Sequence, residues 1–179
     1  MEKSSLMNTL NRQMLTDKKK ESLFTAIYIG AIFIIIALIY YLHLSDNLWD
    51  DLIKFFTSLT IAQVPATGLS LPAPADPTVY TNLYIAAFQF SIAIGILEIV
   101  ILALRVWLHS AVSRKAETIE NIVFWLGASY LIITYLVRIT ILGEWFVFWA
   151  GIILIFGIAL VARAFVLFSQ KVNLFSRYF

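Results

Sequence analysis

The sequence contains no cysteine, which excludes disulfides, thiolate metal sites and thiol nucleophiles. Its two histidines, His43 and His109, belong to opposite ends of their predicted helices, so one chain cannot use both for a single metal ion. The sequence also lacks the motifs of zinc proteases, nucleophile elbows, phosphate-binding loops and dinucleotide-binding turns. These absences predict a protein that is not an enzyme, with no catalytic residue, no metal and no cofactor.

Charged residues are scarce as well. Only 13% of the 179 residues are charged, 61% are hydrophobic, and the mean hydropathy is +0.87. A soluble domain is about a quarter charged and about half apolar. The formal net charge of +2 is too small to indicate a nucleic-acid partner. The composition therefore predicts an integral membrane protein whose first partner is lipid.

Long apolar runs predict four membrane spans. A bilayer core of about 30 Å requires roughly 20 apolar residues in one helix. Four segments meet this requirement: 23–44, 80–108, 119–142 and 145–168. They predict an all-α, multi-pass four-helix bundle over residues 23–169, with tails at 1–22 and 170–179 and a long first connection at 45–79.

The placement of basic residues predicts the orientation. Lysine and arginine concentrate in the two tails and in the connection between the second and third spans, whereas the first connection is acidic. By the positive-inside rule, both termini are cytoplasmic and the first connection is external, and we expect the cell membrane. The third connection is predicted as a short turn at Gly143 and Glu144. The N-terminal tail is predicted either as a short amphipathic helix or as a disordered segment.

The first connection carries the clearest pattern outside the spans. Leu48, Leu52 and Phe55 recur at helical spacing within 47–63, which predicts an amphipathic helix. The stretch VPATGLSLPAPADP follows with four prolines and one glycine, so we expect no regular structure before Asp76 caps the second span. The amphipathic helix either covers the bundle at the membrane interface or re-enters it as a pore element, and we favour the cover.

An ionisable residue, Glu98, lies inside the second predicted span. At 100° per residue it shares a face with the small residues Ala87, Ser91 and Gly95. Small residues let another helix approach closely, so this face is predicted to meet protein rather than lipid. A charge buried there costs on the order of 3 kcal/mol unless it has a partner.

Arg163 is the predicted partner of Glu98, because the fourth span also runs inward and carries Arg163 at a similar depth. Arg105 lies nearer the interface and can reach lipid headgroups instead. We hypothesise a Glu98–Arg163 ion pair, within one chain or between chains. The alternatives are a protonated, hydrogen-bonded Glu98 and a carboxylate that handles protons or cations.

The other spans carry further patterns. Tyr130, Thr134 and Arg138 form a polar stripe on the third span, and Arg138 is predicted as a helix anchor, with an anion or headgroup site as the alternative. Gln89 faces away from the small residues of the second span and is expected to contact protein or water. Helix packing on the fourth span is predicted through three small residues: Ala150, Gly157 and Ala164.

Two functions fit these patterns. We expect a non-catalytic membrane protein that acts as an oligomeric or accessory subunit of a membrane complex, because every unusual residue has a packing explanation. The alternative is a small oligomeric ion channel or ion-coupled transporter in which Glu98, Gln89 and the stripe on the third span line a pathway. Both faces of the second span are engaged in either case, so a homo-oligomer or a larger membrane complex is expected.

Overall fold

The computed structural model describes residues 2–44 and 47–175, with side chains over 21–44 and 47–169. Its elements are, in order, α1 (Glu2–Leu42), α2 (Leu48–Thr57), β1 (Leu59–Gln63), β2 (Ser70–Pro74), a 3₁₀ turn (Pro77–Tyr80), α3 (Thr81–Trp107), α4 (Val112–Leu131), a π-helical segment (Ile132–Leu136) and α5 (Leu142–Phe175). Within these ranges, four segments are long and apolar enough to span a membrane: Glu21–Leu42, Pro77–Trp107, Val112–Leu136 and Leu142–Ser169. The predicted number of spans is confirmed.

The third span differs most from its prediction. The sequence predicts residues 119–142, whereas the helix runs from Val112 to Leu136. A hydropathy window excludes the charged residues near the start, but a helix continues beyond the apolar core as long as its charged side chains reach polar partners. Arg114, Glu117 and Glu120 all lie within α4 and all form ion pairs.

The turn between the last two spans also lies earlier than predicted. The chain turns over 137–141, and α5 begins at Leu142, so Gly143 and Glu144 belong to its first turn. Glu144 Oε2 accepts hydrogen bonds from the backbone N–H of Thr140 at 2.7 Å and of Ile141 at 3.4 Å. An acidic side chain accepts hydrogen bonds from the free N–H groups at the start of a helix. Glu144, which was predicted to lie in the turn, therefore lies in the first turn of α5.

Helix α4 packs against α3 on one side and against α5 on the other. A Cβ added to Gly95 of α3 would lie 2.5 Å from Leu126, and one added to Gly127 of α4 would lie 2.7 Å from Ile155. The same close approach occurs at Gly151 of α5, at 2.8 Å. At each glycine a branched side chain of the neighbouring helix fills the space, so the three helices pack closely.

Helix α1 lies at the edge of the bundle and packs on α3. Phe24 is 4% exposed, whereas most large apolar side chains between Leu23 and Leu44 are exposed. The backbone of the N-terminal tail continues the first span as helix. The predicted amphipathic face of that tail and the end of the C-terminal tail lie outside the described side chains.

The first connection forms a helix and a β-hairpin. Helix α2 ends at Thr57, short of the predicted residue 63, and β1 then pairs antiparallel with β2, with Leu59 opposite Pro74. Gly68 takes a left-handed conformation with φ +69° in the hairpin loop. The prediction of irregular structure is wrong, because a proline is tolerated in an edge strand, where its missing N–H faces away from the paired strand.

An aromatic cluster, defined as Phe55, Tyr80, Tyr84 and Trp145, fastens this connection to the spans. The Phe55 ring lies 5.3 Å from Tyr80 and 5.8 Å from Trp145, centroid to centroid. The Tyr80 hydroxyl donates to Ser58 Oγ at 2.7 Å, and Trp145 Nε1 donates to the carbonyl oxygen of Pro72 at 3.2 Å. Helix α2 therefore lies against one end of the bundle, called the outer end. The opposite end, with the α3–α4 connection, is the inner end.

Candidate functional site

Polar residues recur every seven positions along α3. Tyr84, Ser91, Glu98 and Arg105 are spaced this way, and seven residues are close to two helical turns, so their side chains share one face. Tyr84 and Glu98 are each 3% exposed, Ser91 is 4% exposed, and the Arg105 side chain is 14% exposed. A buried polar face therefore runs along most of the second span.

Glu98 is held by neutral hydrogen-bond donors. About 14 Å of helix separates it from the end of α3 at Trp107. Asn121 Nδ2 of α4 donates to Glu98 Oε1 at 2.8 Å. The hydroxyl of Tyr28 on α1 faces the same carboxylate. Three helices thus converge on one carboxyl group at membrane depth.

Nearer the inner end, Arg105 contacts polar groups of both α1 and α4. Its Nη1 donates to Thr118 Oγ1 at 2.6 Å and to the carbonyl oxygen of Arg114 at 2.7 Å. Its Nη2 lies 3.5 Å from Glu21 Oε2, and its guanidinium stands 5.7 Å from the centroid of the Phe24 ring. Arg105 therefore meets protein groups on α1 and α4 instead of the lipid headgroups that were expected.

These residues surround a cavity at the inner end. Its volume is about 220 Å³, and α1, α3 and α4 all line it. We call its ionisable and amide residues the inner polar cluster: Glu21, Tyr28, Glu98, Arg105, Arg114, Glu117 and Asn121. Such a set can bind and exchange protons or hold a small polar ligand. Within the described part of the chain, no group of three or more histidine, aspartate or glutamate side chains is placed to hold a metal ion.

The structure does not bring Glu98 and Arg163 together within the chain. Arg163 Nη1 of α5 lies 2.9 Å from Glu120 Oε2 of α4 and donates a hydrogen bond to it. The predicted intrachain pair fails because α4 lies between α3 and α5 and supplies its own carboxylate. The neighbour predicted for Arg163 was Glu98, whereas the structure gives Glu120.

The two predicted sets of small residues, on α3 and on α5, differ in burial. On α3, Ser91 and Gly95 are buried, Ala87 is half-buried, and Gly95 receives Leu126 of α4. On α5, the predicted packing residues are all exposed instead: Ala150, Gly157 and Ala164. Helix α5 packs on α4 through a face that includes Gly151 and Ile155, more than 90° around the helix from Gly157. The small residues of α5 therefore face away from the bundle.

The predicted pathway residues do not converge inside the chain. Tyr130 is 65% exposed, and Thr134 and Arg138 are exposed as well. Gln89 is half-buried, and its Oε1 has no hydrogen-bond partner among the described residues. A pathway built from these side chains would lie at the surface of the chain.

Several residues of the inner polar cluster were not identified from the sequence. Glu21 and Tyr28 are seven residues apart on α1, and Arg114, Glu117 and Asn121 are three to seven residues apart on α4. This spacing places each set on one helix face, which is a detectable signal. That the two faces meet around Glu98 is a property of helix packing, which spacing within one helix does not contain.

Comparison of the chain with protein-family models, with curated proteins and with solved structures finds no match. The geometry of the chain is therefore the basis for its functional assignment.

Proposed function

We propose that the chain is a non-catalytic membrane protein that acts as a subunit of a membrane assembly, as a homo-oligomer or as an accessory subunit of a larger complex. We place it in the cell membrane, in contact with lipid, with both termini in the cytoplasm. The proposal is supported by the residues that face outward at membrane depth.

The outward face of α5 carries this proposal. Ala150, Gly157 and Ala164 are exposed inside the span Leu142–Ser169, and an added Cβ at Gly157 would meet nothing within 4 Å. Small side chains let two helices approach closely, which favours association within a bilayer. The hydroxyl-bearing residues Tyr130 and Thr134 are also exposed within the third span, where another helix offers partners that lipid tails do not.

Cysteine cross-linking tests this surface cleanly, because the natural sequence has no cysteine. We expect Gly157→Cys to form a disulfide-linked dimer in native membranes under mild oxidation. Ile158→Cys is the matched control, since it lies at the same depth, is 51% exposed and points about 100° away.

The mass of the detergent-solubilised protein, measured by native mass spectrometry, gives the subunit number independently. A defined multimer together with cross-linking at Gly157→Cys alone supports the proposal. A bare monomer whose two cysteine variants cross-link equally poorly contradicts it.

A second candidate function is a small oligomeric ion channel or ion-coupled transporter, and the buried carboxyl group of Glu98 favours it. Ionisable groups inside a membrane span generally mark ion or proton pathways. The test is ion flux in proteoliposomes with Glu98→Gln, using Glu120→Gln as a control outside the cavity. Flux lost only in Glu98→Gln supports transport. If liposomes that contain the parent protein show the same ion flux as empty liposomes, the transport function is contradicted.

A further inference from the structure

We infer that the cavity beside Glu98 is a binding site for a single exchangeable proton, which Glu98 accepts from the inner end of the bundle only. The inference depends on the second candidate function for its biological use. Its chemistry is independent of that function, since a proton can bind without any ion crossing the membrane.

Among the described side chains, the charges around the cavity pair with one another and leave Glu98 outside any ion pair. Glu21 lies 3.5 Å from Arg105 and 3.8 Å from Arg114, and Arg114 lies 3.1 Å from Glu117. Two carboxylates and two guanidinium groups thus balance each other within one chain of contacts. Glu98 is the remaining carboxyl group of the set, and it forms no ion pair with the described side chains.

Among the side chains that the structure describes, no other helix brings a cation against Glu98. From α1, Glu21 and the neutral Tyr28 face the cavity, and from α4 it is lined by Arg114, Glu117 and the neutral Asn121. On α3 itself the cation is Arg105, whose charge acts on Glu98 from a distance while its guanidinium contacts Glu21 and Thr118. The arginine of α5 pairs with Glu120 and does not line the cavity.

A carboxylate at membrane depth without a positive partner is unfavourable, and one bound proton removes its charge. The surroundings accept both forms. The Asn121 amide donates to Oε1 at 2.8 Å, which an ionised or a protonated carboxyl group can accept. The Tyr28 hydroxyl can donate to the carboxylate or accept from the protonated group. Gain and loss of a proton therefore require no rearrangement of the helices.

Access to Glu98 is one-sided. Towards the inner end, the cavity is bordered by partly exposed charged side chains: Glu21, Arg114 and Glu117 are 30%, 49% and 44% exposed. Towards the outer end, Ile94 is 1% exposed, Ser91 is 4% exposed, and Gly95 is closed against Leu126. Water reaches the carboxyl group from one face of the membrane.

Labelling with dicyclohexylcarbodiimide tests this inference. This apolar reagent takes the proton of a protonated carboxyl group while the carboxylate oxygen adds to its central carbon, which leaves a covalent adduct. We expect an adduct at Glu98, located by mass spectrometry of peptides, in the full-length protein reconstituted in liposomes. Its rate should fall about tenfold for each pH unit above the midpoint, as for one titrating proton.

Sidedness is measured by changing the pH on one side of the liposomes at a time. The Ala111→Cys variant, in the exposed α3–α4 connection, reports with an impermeant maleimide which side the inner end faces. Labelling that follows the pH of that side, is absent in Glu98→Gln and persists in Glu120→Gln supports the inference.

Labelling that is absent at every pH, that does not change with pH or that follows the pH of the outer side would overturn the inference. Because the parent protein carries the result, a folding defect in a variant does not obscure it. Proton-dependent labelling without ion flux would reject the transport function and leave the binding site standing.

Discussion

The two ends of the bundle are built from different chemistry. At the outer end, Tyr80 and Trp145 are 6% and 5% exposed and pack with Phe55 in the aromatic cluster. At the inner end, ion pairs and hydrogen bonds join α1, α3 and α4 around a cavity of about 220 Å³. Close aromatic packing is favourable in itself, whereas buried charges at best offset their own desolvation. We therefore expect the outer end to contribute more to stability than the inner end, where polar groups are held around a cavity.

The largest effect is expected from a substitution in the aromatic cluster at the outer end. Trp145→Ala removes a buried ring and its hydrogen bond to Pro72, and should lower the free energy of unfolding by about 3–5 kcal/mol. Trp149→Ala is the control, because Trp149 is 46% exposed. The measurement is denaturant unfolding in mild detergent. If the two variants lose the same free energy of unfolding, the aromatic cluster contributes no more to stability than an exposed tryptophan does.

The next effect concerns the helix packing that both ends share. Gly95→Leu forces a side chain into the space that Leu126 occupies and should destabilise the protein by about 1–3 kcal/mol. Gly30→Leu is the control, because Gly30 is exposed on α1 and an added Cβ there meets no described atom within 4 Å. Thermal unfolding of the two variants gives the comparison. A stable Gly95→Leu variant would argue against the close α3–α4 contact.

A third prediction separates shape from charge at the inner end. Glu98→Leu leaves the buried Asn121 donor without an acceptor and should cost about 1–3 kcal/mol. Glu98→Gln keeps an acceptor oxygen and should leave the unfolding free energy nearly unchanged. The two variants are compared by denaturant unfolding at one pH. A loss with Glu98→Gln as large as with Glu98→Leu would point to a positive partner of Glu98 instead.

The smallest effect is expected at Asp76, outside the spans at the outer end. Hydrogen bonds from the Thr78 hydroxyl and backbone N–H lower the pKa of Asp76 below its ordinary value. A lowered pKa stabilises the fold above the ordinary value, and this contribution disappears as the pH falls through the lowered pKa in the folded protein. Asp76→Asn should remove this part of the pH dependence of stability. The measurement is the melting temperature as the pH is lowered from 6 until the protein unfolds in acid. An unchanged pH profile would dismiss the contribution of this cap.

The contrast between Glu98 and Arg163 shows how far sequence reasoning reaches. Spacing along α3 places Glu98 on a face with Ser91 and Gly95, and the structure buries all three residues. The same spacing places Arg163 at a comparable depth. Spacing does not say which helix lies beside which, so Glu120 was overlooked as the partner of Arg163 and Asn121 as the partner of Glu98.

The first connection shows a second limit. Its prolines argue against regular structure in general, and the argument fails when the strand lies at an edge. Whether a strand has one neighbour or two depends on pairing between segments, and in the sheet of β1 and β2 each strand has one paired neighbour.

The sequence by itself determined the class of protein and the number of its spans, because transfer of apolar residues into a bilayer depends on composition and length alone. It also determined which residues share a helix face, since the helical repeat is a local property. Only the tertiary structure decided that α4 lies between α3 and α5, that Glu98 meets neutral donors, and that the small residues of α5 face outward. These are relations between helices, and they are set by the fit of side chains across an interface, which no periodicity within one helix records.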